Sequence, residues 1–191
     1  MSYPRLVLEL PAWVEEVVQA AGDLVDSSTE KRMRLALELS RRSVEEGGGP
    51  FGAVVFDARG RVVAPGVNLV VPAGTSIAHA EIVALSVAQQ VRGHYDLGDG
   101  GEELHLFTST EPCAQCFGAV PWSGVKRVVC GAATEDAEEI GFDEGPKPER
   151  WVAALEQRGI SVECGVLREE ARAILRHYAN SGGLIYNADG A

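Results

Sequence analysis

The run Thr75-Ser76-Ile77-Ala78-His79-Ala80-Glu81-Ile82-Val83-Ala84-Leu85 decides how this chain is read, once it is set beside Leu106-Phe107-Thr108-Ser109-Thr110-Glu111-Pro112-Cys113-Ala114-Gln115-Cys116. One imidazole, His79, and two thiolates, Cys113 and Cys116, make three ligands for a borderline-soft metal such as zinc. A tetrahedral ion held by three protein groups keeps a fourth position for water, which is the pattern of a catalytic site. Each run passes from a loop or strand into helical periodicity. Helix N-termini favour negative charge, so Cys113 and Cys116 are expected to ionise readily there, and residues three apart share a helix face. His79 and Glu81, two apart, point in different directions. His79 is therefore expected to hold the metal while Glu81 reaches a bound water as a proton carrier.

Working outward, Pro11 starts an amphipathic helix from about Ala12 to Ala21. Ser27 with Glu30 three residues on is a capping-box pattern for a second helix, whose buried stripe is Met33, Ala36, Leu37, Ser40 and Val44. That helix stops at Gly47-Gly48-Gly49-Pro50. Ala53 to Phe56 and Arg61 to Val67 read as a hairpin across Asp57-Ala58-Arg59-Gly60. Pro65 lacks an amide donor, which makes the second run an edge strand or bulged. A polar loop, Asn68 to Ile77, leads to a helix whose first turn carries His79 and Glu81. Leu104 to Thr108 and Arg127 to Gly131 are strands flanking a helix that runs from Pro112 toward Trp122. Ala132 to Pro148 is acidic and irregular; Trp151 to Gln157 is helical, Ile160 to Cys164 a strand, and Leu167 to Tyr178 a helix. Alternating strands and helices imply one α/β domain with a mixed sheet covered on both faces. No internal repeat or linker divides it.

At 191 residues, with 46% apolar and 24% charged residues, the chain suits a single globular domain. A net charge of -11 works against nucleic-acid partners, since that affinity comes from Lys and Arg on phosphates, and favours small neutral substrates. No apolar stretch reaches membrane-spanning length, and the early residues do not form a secretory leader. A cytoplasmic location is expected, where the four cysteines are free thiols or metal ligands. Cys130 and Cys164 lack ligand spacing and are expected as small buried thiols on strands.

The H-x-E and P-C-x-x-C runs match the signature of zinc base deaminases, in which Glu is not a ligand. Pro50-Phe51-Gly52-Ala53-Val54-Val55, the Asn68 in Gly-Val-Asn-Leu-Val, the two metal runs and Arg127-Val-Val-Cys-Gly-Ala132 follow the same order as that family. Over most of its length the chain thus resembles the cytidine-deaminase-like zinc deaminases. The resemblance implies a three-layer α/β/α fold with a mixed five-stranded sheet, Zn2+ on His79, Cys113 and Cys116, Glu81 as proton shuttle, and a homodimer. Glu138-Glu-Ile-Gly-Phe-Asp-Glu-Gly-Pro-Lys147 and Gly182-Gly-Leu-Ile-Tyr-Asn187 are most similar to bacterial guanine deaminases of this fold. That implies conversion of guanine to xanthine and ammonia. It makes Glu144, or else Asp143, a second proton carrier, puts Asn68 and the Ala80 backbone on the base, and sets Phe51, Trp122 and Tyr186 as pocket walls. The implied layout is a helical extension over residues 1–26, a deaminase domain over 27–181 and a closing tail over 182–191.

Other readings stay open at this level. A transfer-RNA adenosine deaminase shares both metal motifs, and cytosine or an amino-triazine are alternative small substrates. A non-catalytic zinc-stabilised module would leave Glu81 without a role. Phe51 and Trp122 can equally be core aromatics, Asp143 and Glu144 a solvated loop, and Tyr186 part of a frayed end.

Overall fold

The structure, a computed structural model, describes residues 3–187. β1 (Gly52–Asp57) and β2 (Val62–Val67) form the expected antiparallel hairpin, and β3 (Leu104–Thr110), β4 (Arg127–Ala132) and β5 (Ser161–Glu163) complete a sheet of order β2-β1-β3-β4-β5. β1 and β3 are antiparallel, whereas β3, β4 and β5 run parallel. β2 is an edge strand, the environment that tolerates Pro65. The register slips between Val55 and Phe56, opposite Ala64 and Val62, and not at the proline itself.

Alternation along the strands sorts the core into two faces. Val54, Phe56, Phe107 and Val129 pack under α1 (Ala12–Ala20) and α2 (Thr29–Glu45). A four-residue α3 (Val70–Ala73) interrupts the loop expected from Asn68 to Ile77. Ala53, Val55, Leu106, Val128 and Cys130 pack under α4 (Ala80–Arg92), α5 (Ala114–Ser123) and, past the short α6 (Thr134–Glu138), α7 (Trp151–Glu156). α8 (Arg168–Asn180) returns to the first face through Ala171, Leu175 and Tyr178. The outcome is the three-layer α/β/α arrangement with a mixed five-stranded sheet. Each large apolar side chain so buried contributes roughly 1.5–3 kcal/mol.

Several local expectations are corrected. The cap of α2 is Ser28, whose side chain accepts the Lys31 N–H, while the Ser27 hydroxyl donates to Leu24 O. His79 and Cys113 are N-caps in extended backbone, outside the first turns of their helices. The acidic 132–148 stretch contains α6. Cys130 is buried on β4, but Cys164 lies just past β5 and is exposed. Gly66 on β2 explains how closely α4 can approach: a Cβ there would stand 2.2 Å from Ala80 O.

Among the described residues no helix is long and apolar enough to cross a membrane. The 1–26 extension contains α1, and residues 188–191 of the closing tail lie outside the described residues.

Candidate active site

The site forms where two helix N-termini meet the carboxyl end of β3. α4 offers His79 at its N-cap; α5 offers Cys113 at its cap and Cys116 one turn on. His79 Nδ1 lies 3.4 Å from Cys113 Sγ and 3.5 Å from Cys116 Sγ. Zinc bonded tetrahedrally to nitrogen and sulfur at its usual bond lengths separates those atoms by about 3.5 Å. The donor set therefore fits zinc in spacing as well as chemistry. His79, Cys113 and Cys116 are the one such cluster among the described residues.

The thiols share the electrostatics of a pair. The hydrogen bond from Cys116, with help from His79, holds Cys113 down at about 4 against the effect of burial. The same bond and burial push Cys116 up. A cation at this position takes the place of the shared proton and favours both thiolates.

Glu81, in the first turn of α4, is buried; its Oε1 accepts from the Thr108 hydroxyl at 3.1 Å, and its Oε2 lies 3.4 Å from Cys116 Sγ. Burial, with the Cys113 charge, raises its pKa. The carboxylate thus stands beside the metal donors on a fixed hydrogen bond from the neighbouring strand.

These groups open into a cavity of about 230 Å³ lined also by Phe51, Asn68, Asp143, Glu144 and Tyr186. A larger groove between α1 and α2, about 550 Å³, holds no metal-ligating cluster. Asn68 is buried, and its Oδ1 accepts the Val70 N–H at 3.2 Å, which aims the amide NH2 elsewhere. Glu144 is buried with Oε2 lacking any hydrogen-bond partner among the described residues. Burial, reinforced by the charges of Cys113 and Glu81, pushes it up to about 8. Asp143 is exposed and uses its Oδ1 to accept the Gly145 N–H. Of the two acids, it is Glu144 whose side chain is held inside.

Tyr186 brings a second orphan: its hydroxyl is buried without a partner, and burial pushes the phenol well above its usual range. Phe142 joins the walls, edge-on to Phe51 at 5.0 Å and to Tyr186 at 5.1 Å. The tail is pinned by Tyr178, whose hydroxyl donates to Leu184 O at 2.6 Å, and by Asn187. Asn187 Nδ2 donates to Gly141 O at 2.9 Å, and its Oδ1 accepts the Asp143 N–H at 3.0 Å.

One expectation is not met by this chain. Trp122 stands 85% exposed near the end of α5, outside the cavity, and walls no part of it. The Ala80 side chain is buried against the sheet, which leaves its backbone, the group expected from the sequence, at the junction. Sequence reasoning missed Phe142, Glu111 and Asn187 as lining residues. Their signal lay in their positions beside residues that were singled out: Glu111 before the Pro-Cys pair, Phe142 before the two acids, Asn187 after Tyr186.

Residues 26–132 match the family model described as the cytidine and deoxycytidylate deaminase zinc-binding region. The chain belongs to this family. Within this deaminase family, the chain is 41% identical to a guanine deaminase of Bacillus subtilis over 59% of this chain and 69% of that one. A solved guanine deaminase from Nitrosomonas europaea is 47% identical, with a TM-score of 0.85 over 94% of this chain and 100% of its own. A variant of the protein NE0047 solved in complex with 8-azaguanine is 47% identical, with a TM-score of 0.86 over 95% and 99% of the two chains.

Proposed function

We propose that this deaminase hydrolyses guanine to xanthine and ammonia. The similarity to the Nitrosomonas europaea guanine deaminase, which runs the length of both chains, carries the reading. The cavity supplies the roles. His79, Cys113 and Cys116 hold zinc, which when bound acts as a Lewis acid and makes water nucleophilic at neutral pH.

Glu81 takes a proton from the attacking water and returns it to the ring nitrogen beside the amino-bearing carbon. As the C–O bond forms at that carbon, its double bond to the ring nitrogen opens, and the bond to the amine breaks when the new C–OH becomes a carbonyl. Glu144 passes the remaining hydroxyl proton to the departing amine, which leaves as ammonia; such proton transfers are worth about 100-fold to 10,000-fold each. Asn68, its Oδ1 already committed to Val70, offers its NH2 to the base, and the Ala80 backbone meets the purine carbonyl. Phe51, Phe142 and Tyr186 flank the ring, and the Tyr186 hydroxyl offers an unused polar group. Docking of the tail excludes water while the proton transfers occur.

The proposal extends to a homodimer formed through α4 and α5, where Trp122 and Val91 are 85% and 63% exposed. Light scattering on the purified protein tests it. A reducing, cytoplasmic setting suits ligands that must be thiolates.

An ammonia-release panel over guanine, adenine, cytosine, their nucleosides and amino-triazines tests the substrate. Guanine is expected to be turned over best. Preference for cytosine or a triazine, or activity confined to adenosine in transfer RNA, overturns the choice of base.

A further inference from the structure

Cys113 is bracketed by one short segment of chain. The residue before it, Pro112, gives its carbonyl to Lys147 Nζ at 2.9 Å; the residue after it, Ala114, donates its N–H to Glu144 O at 2.8 Å. The stretch between them is tightened by a local turn, with the Lys147 N–H donating to Gly145 O at 2.8 Å. The backbone carrying the second carboxyl and the backbone carrying a metal ligand are therefore clamped at two points.

The lysine is an expensive choice for this clamp. Its side chain is 8% exposed, and a buried ammonium is tolerated only when its donors are satisfied. They are. Besides Pro112 O, Nζ donates to Thr134 Oγ1 at 2.6 Å, and Glu111 Oε2 lies 3.8 Å away. Thr134 closes the ring by donating its hydroxyl and its N–H to Glu111 Oε2, at 2.8 and 3.2 Å. The ammonium also lies 4.7 Å from the centroid of the Trp151 ring. An apolar side chain of equal length would fill the space under Trp151 but would leave Pro112 O and Thr134 Oγ1 short of a donor and Glu111 without a neighbouring positive charge.

We propose that Lys147 is a positioning residue that sets Cys113 and Glu144 at their working separation, by tying the start of α5 and the start of α6 to the loop that carries Glu144. This rests on the assignment of Cys113 as a metal ligand and Glu144 as a proton carrier. Groups that orient metal ligands are typically worth 10-fold to 100-fold in metal affinity or activity, and a displacement of about 1 Å at a reacting centre costs about 100-fold.

The experiment compares wild type with Lys147→Met, Lys147→Arg and Thr134→Val, the last removing one anchor while the lysine stays. Zinc affinity is read by chelator competition, kcat and KM at saturating zinc, and folding by thermal melting. Lys147→Met is expected to bind zinc at least 10-fold more weakly and to lose at least 10-fold in kcat with KM changed less than about 3-fold. Lys147→Arg should restore part of both, and Thr134→Val should move both in the same direction by less. Unchanged zinc affinity or unchanged kcat in Lys147→Met overturns the proposal. So does a loss that tracks melting temperature alone, with arginine no better than methionine. The kinetic arm uses whichever base wild type deaminates, so a wild type inert toward guanine defeats the substrate reading only, and the zinc arm needs no substrate.

Discussion

The hydroxyl of Tyr186 occupies the space that a side chain at Gly49 would need: a Cβ built on Gly49 stands 2.2 Å from that oxygen. The glycine that follows α2 therefore does more than end a helix. It leaves room for the tail to seat its aromatic residue in the cavity. Gly49→Ala is expected to displace Tyr186 and raise KM for guanine about 10-fold, with the fold intact. Adding Tyr186→Ala to Gly49→Ala should cause little further loss, and full additivity of the two effects in steady-state kinetics would refute this coupling.

Glu81→Gln keeps the shape of the side chain and its hydrogen bond from Thr108 but cannot accept a proton. Turnover should fall by about 1,000-fold or more, near the upper end for general acid-base catalysis, while zinc stays at one per chain. Chelation of zinc should abolish turnover in wild type, and re-addition should restore it. A Glu81→Gln enzyme of wild-type rate removes Glu81 from the reaction.

Glu144 and Asp143 are neighbours with opposite surroundings, and their variants should differ accordingly. Glu144→Gln is expected to lower kcat about 100-fold. Asp143→Asn, which alters an exposed turn, should cost less than about 5-fold. The reverse ranking in kcat assigns the proton carrier to Asp143.

Asp136 supports the fold away from the site. Its carboxylate accepts from Arg168 Nε at 2.8 Å, lies 3.2 Å from Arg172 Nε and accepts the Ala133 N–H at 2.9 Å. The Arg168 hydrogen bond is the main reason its pKa is lowered. A carboxylate depressed on folding contributes stability that is full above its unfolded pKa, near 4, and is lost as pH falls through the lower folded value. Asp136→Asn should therefore cost about 2 kcal/mol at pH 7, or about 4–8 °C in Tm, and progressively less below about pH 4. A wild-type-minus-variant gap that widens on acidification contradicts this sign.

How far the chain could be read from its letters varied with the range of the interactions. Strand alternation and the glycine-proline stop after α2 are local, and both marked their elements. Ser27 and Ser28 are adjacent and chemically alike, so pattern alone could not decide which caps α2; the structure puts Ser28 there because its oxygen meets the Lys31 N–H. Trp122 sits within the α5 stretch that begins at the cysteines, yet the helix turns it to the outside, and only the packing of α5 on α4 determines which side that is.

The sequence by itself determined the chemistry: H-A-E and P-C-A-Q-C place an imidazole, a carboxylate and two thiols at helix starts, where backbone N–H groups and short spacing hold them. What only the tertiary structure decided is which distant groups share their cavity. Glu144 is buried and Asp143 is exposed at the cavity, where Ala114 holds the Glu144 carbonyl while Asn187 and Gly145 hold Asp143. Tyr186 reaches the site because Tyr178 and Gly49 admit the tail. The contacts of Ala114 with Glu144, Asn187 with Asp143 and Gly49 with Tyr186 join residues far apart in the chain, and no local periodicity encodes them.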